Sequence, residues 1–316
     1  MKILKDYIKV NKTNDNLFYL QRWRIISGQP GPKIVIIALQ HGAEVSSFFL
    51  LEKLLCYFRQ FPLLKGSLVI LPAVNVLGLL KKQRQEPFTG LDINRQYPGN
   101  QDNRATKIAY VVAKECQSAE LVIDLHNFTS RRSVFTGVMV KSNRLVEDKA
   151  KQVLRLFDPE LIWYINSSQS SDKEQAGALT VWLGQQNKLA IALELPPPIV
   201  LTEGFLNSLL ERFLVVFEFY GLLTVDLLKC VTVKRSISVY TSRLIRMKVN
   251  GWFWPTKEPL DKLKSADKIG DQVSLVDFKK KSLRGLPGVL LTIAYPGFIM
   301  AGKKVATIGK KIGYLK

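Results

Sequence analysis

The chain has 316 residues, enough to bury a large core, and its 47% hydrophobic and 23% charged residues describe a globule rather than a disordered or fibrous chain. Its 46 Lys and Arg against 26 Asp and Glu leave a formal charge of +20, concentrated from Lys229 onward, where 19 bases face 5 acids. The basic amino end lacks a signal-peptide pattern, no apolar run reaches membrane-spanning length, and Cys56, Cys116 and Cys230 sit in no paired motif, which together point to the cytoplasm.

In chain order, KIVIIALQ (33–40) and SLVILPAV (67–74) are β-branched-rich runs bounded by Gly, Pro or charge, the mark of strands buried on both faces. The segment AEVSSFFLLEKLLCYFRQF between them is long enough for a crossover helix. A second helix is predicted over 104–117, followed by strands over 120–127, 134–140 and 189–195. LLERFLVVFEFYGLLTV reads as a buried helix or as two elements. Strands alternating with helices of this length predict an α/β fold, a mostly parallel or mixed central sheet flanked by helices, with ligands at the carboxyl ends of its strands. Past about residue 230 the texture changes to short β-like pieces such as GWFWP, KIGDQVSLV and GVLLTIAYPGFIM. A catalytic domain over 1–229 and a small all-β domain over 230–316 are therefore expected, and no strict repeat is present.

The only two histidines of the chain, His41 and His126, each end one of these predicted strands. Glu44 follows His41 by three residues, so a turn between them brings an imidazole and a carboxylate to one side. Catalytic zinc commonly takes three protein ligands and keeps one position open, and His126 supplies the third if the two strands end side by side. KKQRQEPFTGLDINRQYPGN (81–100) is polar, rich in turn residues and placed after a strand, as binding loops are. Arg84, Asn94 and Arg95 there offer donors to an anion, and Asp92 is placed to accept from the second nitrogen of His41. Glu194 closes the apolar run LAIALEL, where a carboxylate must be paired, bound to metal or chemically active; as a general base it would move a proton from water to a leaving amine.

His41-Gly-Ala-Glu44, Arg84 with the block from Gly90 to Gly99, Asp124-Leu-His126 and the strand-borne Glu194 together resemble the succinylglutamate desuccinylase/aspartoacylase family, a relative of the zinc carboxypeptidases. The resemblance covers most of residues 30–220. It implies a zinc-carboxypeptidase-like fold, one Zn2+ per chain on His41, Glu44 and His126, and hydrolysis of the amide of a small N-acyl amino acid carrying a free carboxylate. It also implies Glu194 as general base, Arg84 as the group steadying the oxyanion, Asn94 and Arg95 as the carboxylate clamp, and Asp92 as the residue orienting His41. The β-rich end is similar to the barrel-sandwich domain many members carry, and no lysine occupies a carrier turn.

The chain departs from the family where Leu195 and Pro196, Pro197 and Pro198 follow Glu194, in place of an early glycine, and where Asn127 and Phe128 follow His126. The acyl group is therefore open, and the sequence carries no sign of oligomeric state. Three alternatives stay open at this stage: a carboxypeptidase-like enzyme acting on short peptides, a non-catalytic metal or ligand-binding protein, and a basic nucleic-acid-binding module centred on 229–316. The last lacks zinc-finger spacing and an RNA-recognition aromatic signature, so nucleic acid is disfavoured as a partner.

Overall fold

A computed structural model describes residues 1–13, 16–224, 226 and 236–315. A long hairpin of β1 (Lys2–Thr13) and β2 (Asn16–Ile26) leads into β3 (Lys33–Ala38), α1 (Ser46–Gln60), β4 (Ser67–Leu71) and the short α2 (Val76–Leu80). Then come α3 (Arg104–Cys116), β5 (Leu121–Asn127), β6 (Arg131–Ser133), β7 (Thr136–Val140), α4 (Arg144–Phe157), β8 (Leu161–Ile165), α5 (Leu179–Gln185), β9 (Ala190–Leu195) and α6 (Glu203–Phe219). The fold is α/β with a mixed central sheet. Its middle runs β4-β3-β5-β9 in parallel, β9 pairs antiparallel with β7, and β7 pairs in parallel with β8.

Helices cover both faces. Leu50, Leu54 and Phe58 of α1, Val153 and Phe157 of α4, and Phe213 and Phe217 of α6 pack with Ile34, Ile36, Ile123 and Ile191 on one face. Ala105, Ile108, Ala109 and Val112 of α3 and Leu179 and Leu183 of α5 pack with Val35, Ile37, Val122 and Ala190 on the other. The alternation of the strands sorts residues between these layers, so in β5 Leu121, Ile123 and Leu125 face the first layer while Asp124 and His126 share the face of Val122. Polar residues of β5 and β9 thus collect on the α3/α5 side of the sheet, at its carboxyl edge.

The predicted strand over 67–74 ends at Leu71, because the chain turns there to lay α2 beside the loop of His41. The hairpin β1–β2 was not anticipated; it extends the sheet through β2 and β4 and is fastened where Arg22 meets Asp6 at 2.8 Å and Glu115 of α3 at 2.6 Å.

All described residues from 236 to 315 that take regular structure are β: β10 (Ile237–Arg246), β11 (Gly251–Pro255), β12 (Lys262–Leu263), β13 (Lys268–Ser274), β14 (Lys280–Arg284), β15 (Gly288–Ala294), β16 (Gly297–Ile299) and β17 (Lys304–Leu315). The expected boundary at 229/230 lies outside the described residues, as does Cys230. β10 pairs in parallel with β8, so β10-β17-β15-β12 continue the central sheet, and β15 also pairs with β6. A second sheet, β14-β13-β11-β16, faces these strands across a small core of Met247, Phe253, Ile269, Leu283, Ile293, Val305 and Ile308. No helix among the described residues is long and apolar enough to cross a membrane.

Candidate metal centre and surrounding cavity

The loop after β3 turns sharply, with the Glu44 N–H donating to the His41 carbonyl at 3.1 Å. Gly42, inside that turn, lies against α2 so closely that a Cβ would sit 1.9 Å from the Gly78 carbonyl carbon. Only glycine lets the turn bring His41 and Glu44 together there. β5 delivers His126 from the neighbouring strand, with the imidazole centroids 5.0 Å apart. Ligand atoms of His41, Glu44 and His126 all lie within 4.8 Å of one another, and all three residues are buried.

The nitrogen assignments within this cluster are orderly. Glu44 presents Oε1 to His41 Nδ1 and Oε2 to His126 Nδ1, each at 2.8 Å. The opposite nitrogens face acids, His41 Nε2 lying 3.0 Å from Asp92 Oδ1 and His126 Nε2 lying 2.9 Å from Asp124 Oδ2. A carboxylate behind each imidazole fixes the ring and raises its basicity as a ligand. His41 Nδ1 is buried with no aligned hydrogen-bond acceptor despite its closeness to Glu44. An orphaned ring nitrogen, an imidazole and a carboxylate converging on one point fit a divalent cation such as zinc. Burial alone would raise the Glu44 carboxyl, but the two imidazoles outweigh it and hold the group well below the usual carboxylate range.

Besides facing His41, Asp92 caps its own loop by accepting from the Asn94 N–H at 2.9 Å. Burial opposes its ionisation, yet His41, Arg84 and Arg95 keep it ionised to low pH. Arg84 is half-exposed at the cavity, its Nε donating to Asp92 Oδ2 at 2.9 Å and its Nη1 to Glu44 Oε1 at 3.3 Å. Asn94 is buried, its Oδ1 accepting from the Leu179 N–H at 2.8 Å and its Nδ2 lying 3.3 Å from His126 Nε2. Arg95 donates to the carbonyls of Glu174 and Asn94 and, at 2.8 Å, to Gln175 Oε1. Those bonds use three of the five guanidinium N–H groups. Gly177, at φ +76°, makes this close packing possible, since a Cβ there would stand 2.3 Å from the Arg95 carbonyl oxygen.

Glu194 pairs in register with His126 across β5 and β9, so the two side chains leave the same face side by side. Its Oε2 is buried without a hydrogen-bond partner. Burial pushes its carboxyl up to about 7, Glu44 adding to the rise while His126, Arg131 and His41 oppose it. A carboxyl poised near neutrality can take up and release a proton at ordinary pH.

Five residues of the site were given no role from the sequence, although Asp124 stood inside the Asp124-Leu-His126 motif. Asp124 holds His126 and itself accepts from Gln40 Nε2 through both oxygens at 2.8 Å, while the Tyr97 hydroxyl donates to Gln40 Oε1 at 2.6 Å. The alternation of a strand was the available signal for Asp124, which stands two residues before His126 and so on the same face. Arg131 stacks 4.5 Å from the Phe128 ring centroid, and burial lowers its guanidinium to about 10. Lys304 is lowered to about 8 by burial and by Arg131 beside it, and both Lys304 and Arg246 pair with Glu174. No local motif marked Gln40, Arg131, Glu174 or Lys304. A cavity of about 860 Å³ is lined by these groups, apart from Gln40 and Tyr97, and by Tyr295, Phe298 and Lys303 of the C-terminal segment.

Residues 30–214 match the model of the succinylglutamate desuccinylase/aspartoacylase catalytic domain. The N-alpha-acetyl-L-2,4-diaminobutyric acid deacetylase of Halomonas elongata is 29% identical over 105 residues, a stretch that is 33% of this chain and only 30% of that relative. The product-bound structure of the ectoine utilization protein EutE (DoeB) from Ruegeria pomeroyi superposes with a TM-score of 0.82 at 17% identity, over 97% of this chain and 95% of that one. The succinylglutamate desuccinylase/aspartoacylase structure from Rhodobacter sphaeroides gives 0.81 at 16% identity, over 99% and 95%. With more than half its length matched to that catalytic domain, this chain belongs to the succinylglutamate desuccinylase/aspartoacylase family.

Proposed function

We propose that the protein is a zinc-dependent deacylase that hydrolyses the amide of a small, anionic N-acyl amino acid. The observation that carries this reading is the convergence of His41, Glu44 and His126 beside Glu194, whose unpartnered carboxyl faces the same cavity. His41 and His126 through Nδ1 and Glu44 through its carboxylate would hold the ion, which when bound supplies Lewis acidity toward the amide carbonyl and water. Glu194 takes the proton from the attacking water and passes it to the departing nitrogen. Arg84 lies at the cavity edge to steady the oxyanion, Asn94 and Arg95 hold the substrate carboxylate, and Asp92 and Asp124 keep the imidazoles oriented. Arg131 and Lys304 add positive charge to the lining of the same cavity, which favours an anionic ligand.

In the same reading, residues 1–229 carry the chemistry and residues 230–316 form a smaller barrel-sandwich-like unit that walls the cavity. Two facing sheets around Phe253 support that shape. Cys56 and Cys116 are both free thiols, in keeping with a cytoplasmic location. The test is hydrolysis of N-acetyl and N-succinyl amino acids against short peptides by zinc-loaded protein. Turnover confined to peptides would sink the deacylase reading. Glu194→Gln should cut kcat by about 10²-fold or more while the protein keeps its metal; full activity in that variant would remove Glu194 as the base.

A further inference from the structure

The row of residues one step behind the metal cluster has a composition of its own. Strand register sets Glu194 beside His126 and Thr136, and the next inward row on the same face runs Asp124, Ala192, Val138, Trp163. Two residues along a strand place that row about 7 Å beneath Glu194. Asp124 ends the row, but its oxygens are taken by Gln40 and His126. Ile165 joins from β8, and Ala178 and Thr180 close the recess from the start of α5. Val138, Trp163, Ile165, Ala178, Thr180 and Ala192 all line the same cavity as the metal cluster, and none is more than 6% exposed. None of these six carries a charge. Trp163 also keeps its indole Nε1–H buried without an acceptor, so one donor is available to an entering group.

Asn94 fixes which end of a substrate reaches this recess. Its Oδ1 accepts from the N–H of Leu179, between Ala178 and Thr180, so the carboxylate clamp stands directly on the wall of the apolar recess. With the substrate carboxylate held there, the substituent on the carbon that bears it is the group nearest the recess. Resting on the deacylase reading above, we infer that the amino acid released by this protein has an uncharged, predominantly apolar side chain. A carboxylate or ammonium in the recess would be stripped of water with no countercharge among the six lining residues, whereas each buried methylene strengthens binding.

The experiment fixes the acyl group and varies only the side chain. Zinc-loaded protein is given N-acetyl and N-succinyl derivatives of leucine, phenylalanine, aspartate and 2,4-diaminobutyrate, and binding of the four free amino acids is measured by calorimetry. Within either acyl series, kcat/KM for the leucine or phenylalanine derivative should exceed that for the charged ones by about 100-fold or more. Faster turnover of the aspartate or diaminobutyrate derivative overturns the inference. If no derivative is hydrolysed, the deacylase reading fails, and calorimetry alone decides the recess: tighter binding of leucine or phenylalanine supports it, and equal or tighter binding of the charged amino acids overturns it.

Discussion

Glu194 occupies a place where function and stability pull in opposite directions. Burial raises its carboxyl to about 7, so between the ordinary carboxylate range and 7 the folded chain holds a proton that the unfolded chain has released. The folded, metal-free protein therefore loses stability as pH rises through that window. Glutamine at this position is neutral at every pH. Glu194→Gln should raise the melting temperature of the metal-free protein at pH 8 and leave it nearly unchanged at pH 4, as followed by thermal denaturation; an equal change at both values would assign the effect to packing instead. Asp124 acts at the same scale through His126. Replacing it with Asn keeps the volume and Gln40 beside it but removes the charge behind the imidazole, and zinc affinity should fall about 10- to 100-fold in a competitive chelator titration. Unaltered affinity would show that Asp124 serves packing alone.

At the level of elements, the site depends on how tightly the β3–α1 turn is pressed onto α2. A Cβ at position 42 has no room beside the Gly78 backbone, and main chain on both sides cannot swing away as a side chain would. Gly42→Ala should cost about 3 kcal/mol or more in urea denaturation and lower metal content in the folded fraction; a cost below about 0.5 kcal/mol would mean that α2 shifts freely. The elements that build this site were the ones the sequence declared most clearly. The runs of β3, β5 and β9 are short, apolar and bounded, and each carries a polar residue of the candidate site at or just past its end, so their alternation and their lone histidines are local signals. Gln40 and Arg131 declared nothing, because their roles arise only when Tyr97 is folded beside Gln40 and when β6 is zipped onto β15. The hairpin β1–β2 was hidden for a related reason: its strands mix charge and apolar residues as exposed antiparallel ribbons do, and its anchor is an arginine reaching two distant acids.

The whole molecule uses one sheet to join its chemistry to its C-terminal strands. The β character of the chain after Ile237 was legible, but the continuity of those strands with β8 was not, since strand pairing between distant segments leaves no periodic mark in either. That continuity gives the C-terminal strands a role beyond shielding the cavity. β10 pairs with β8 at Val239 with Ile162 and Tyr240 with Trp163, Tyr240 and Leu291 pack on Leu161, and Val239, Ile237 and Leu315 enter the main core. The ion pairs of Glu174 with Arg246 and Lys304 cross the same junction, but as partly exposed pairs they contribute only about 0.2–1 kcal/mol each. The apolar contacts and the paired edge therefore dominate. A chain ending at residue 224 would leave β8 as an unpaired, hydrophobic edge, a template for aggregation, and would loosen Trp163 and Ile165, which line the cavity. We expect such a truncation to elute as soluble aggregate or to be lost from the soluble fraction, and to bind zinc poorly, as read by size-exclusion chromatography with metal analysis of each fraction. A monomeric truncated protein with a full complement of metal would show instead that the catalytic half stands alone and that the shared sheet is an attachment rather than a support.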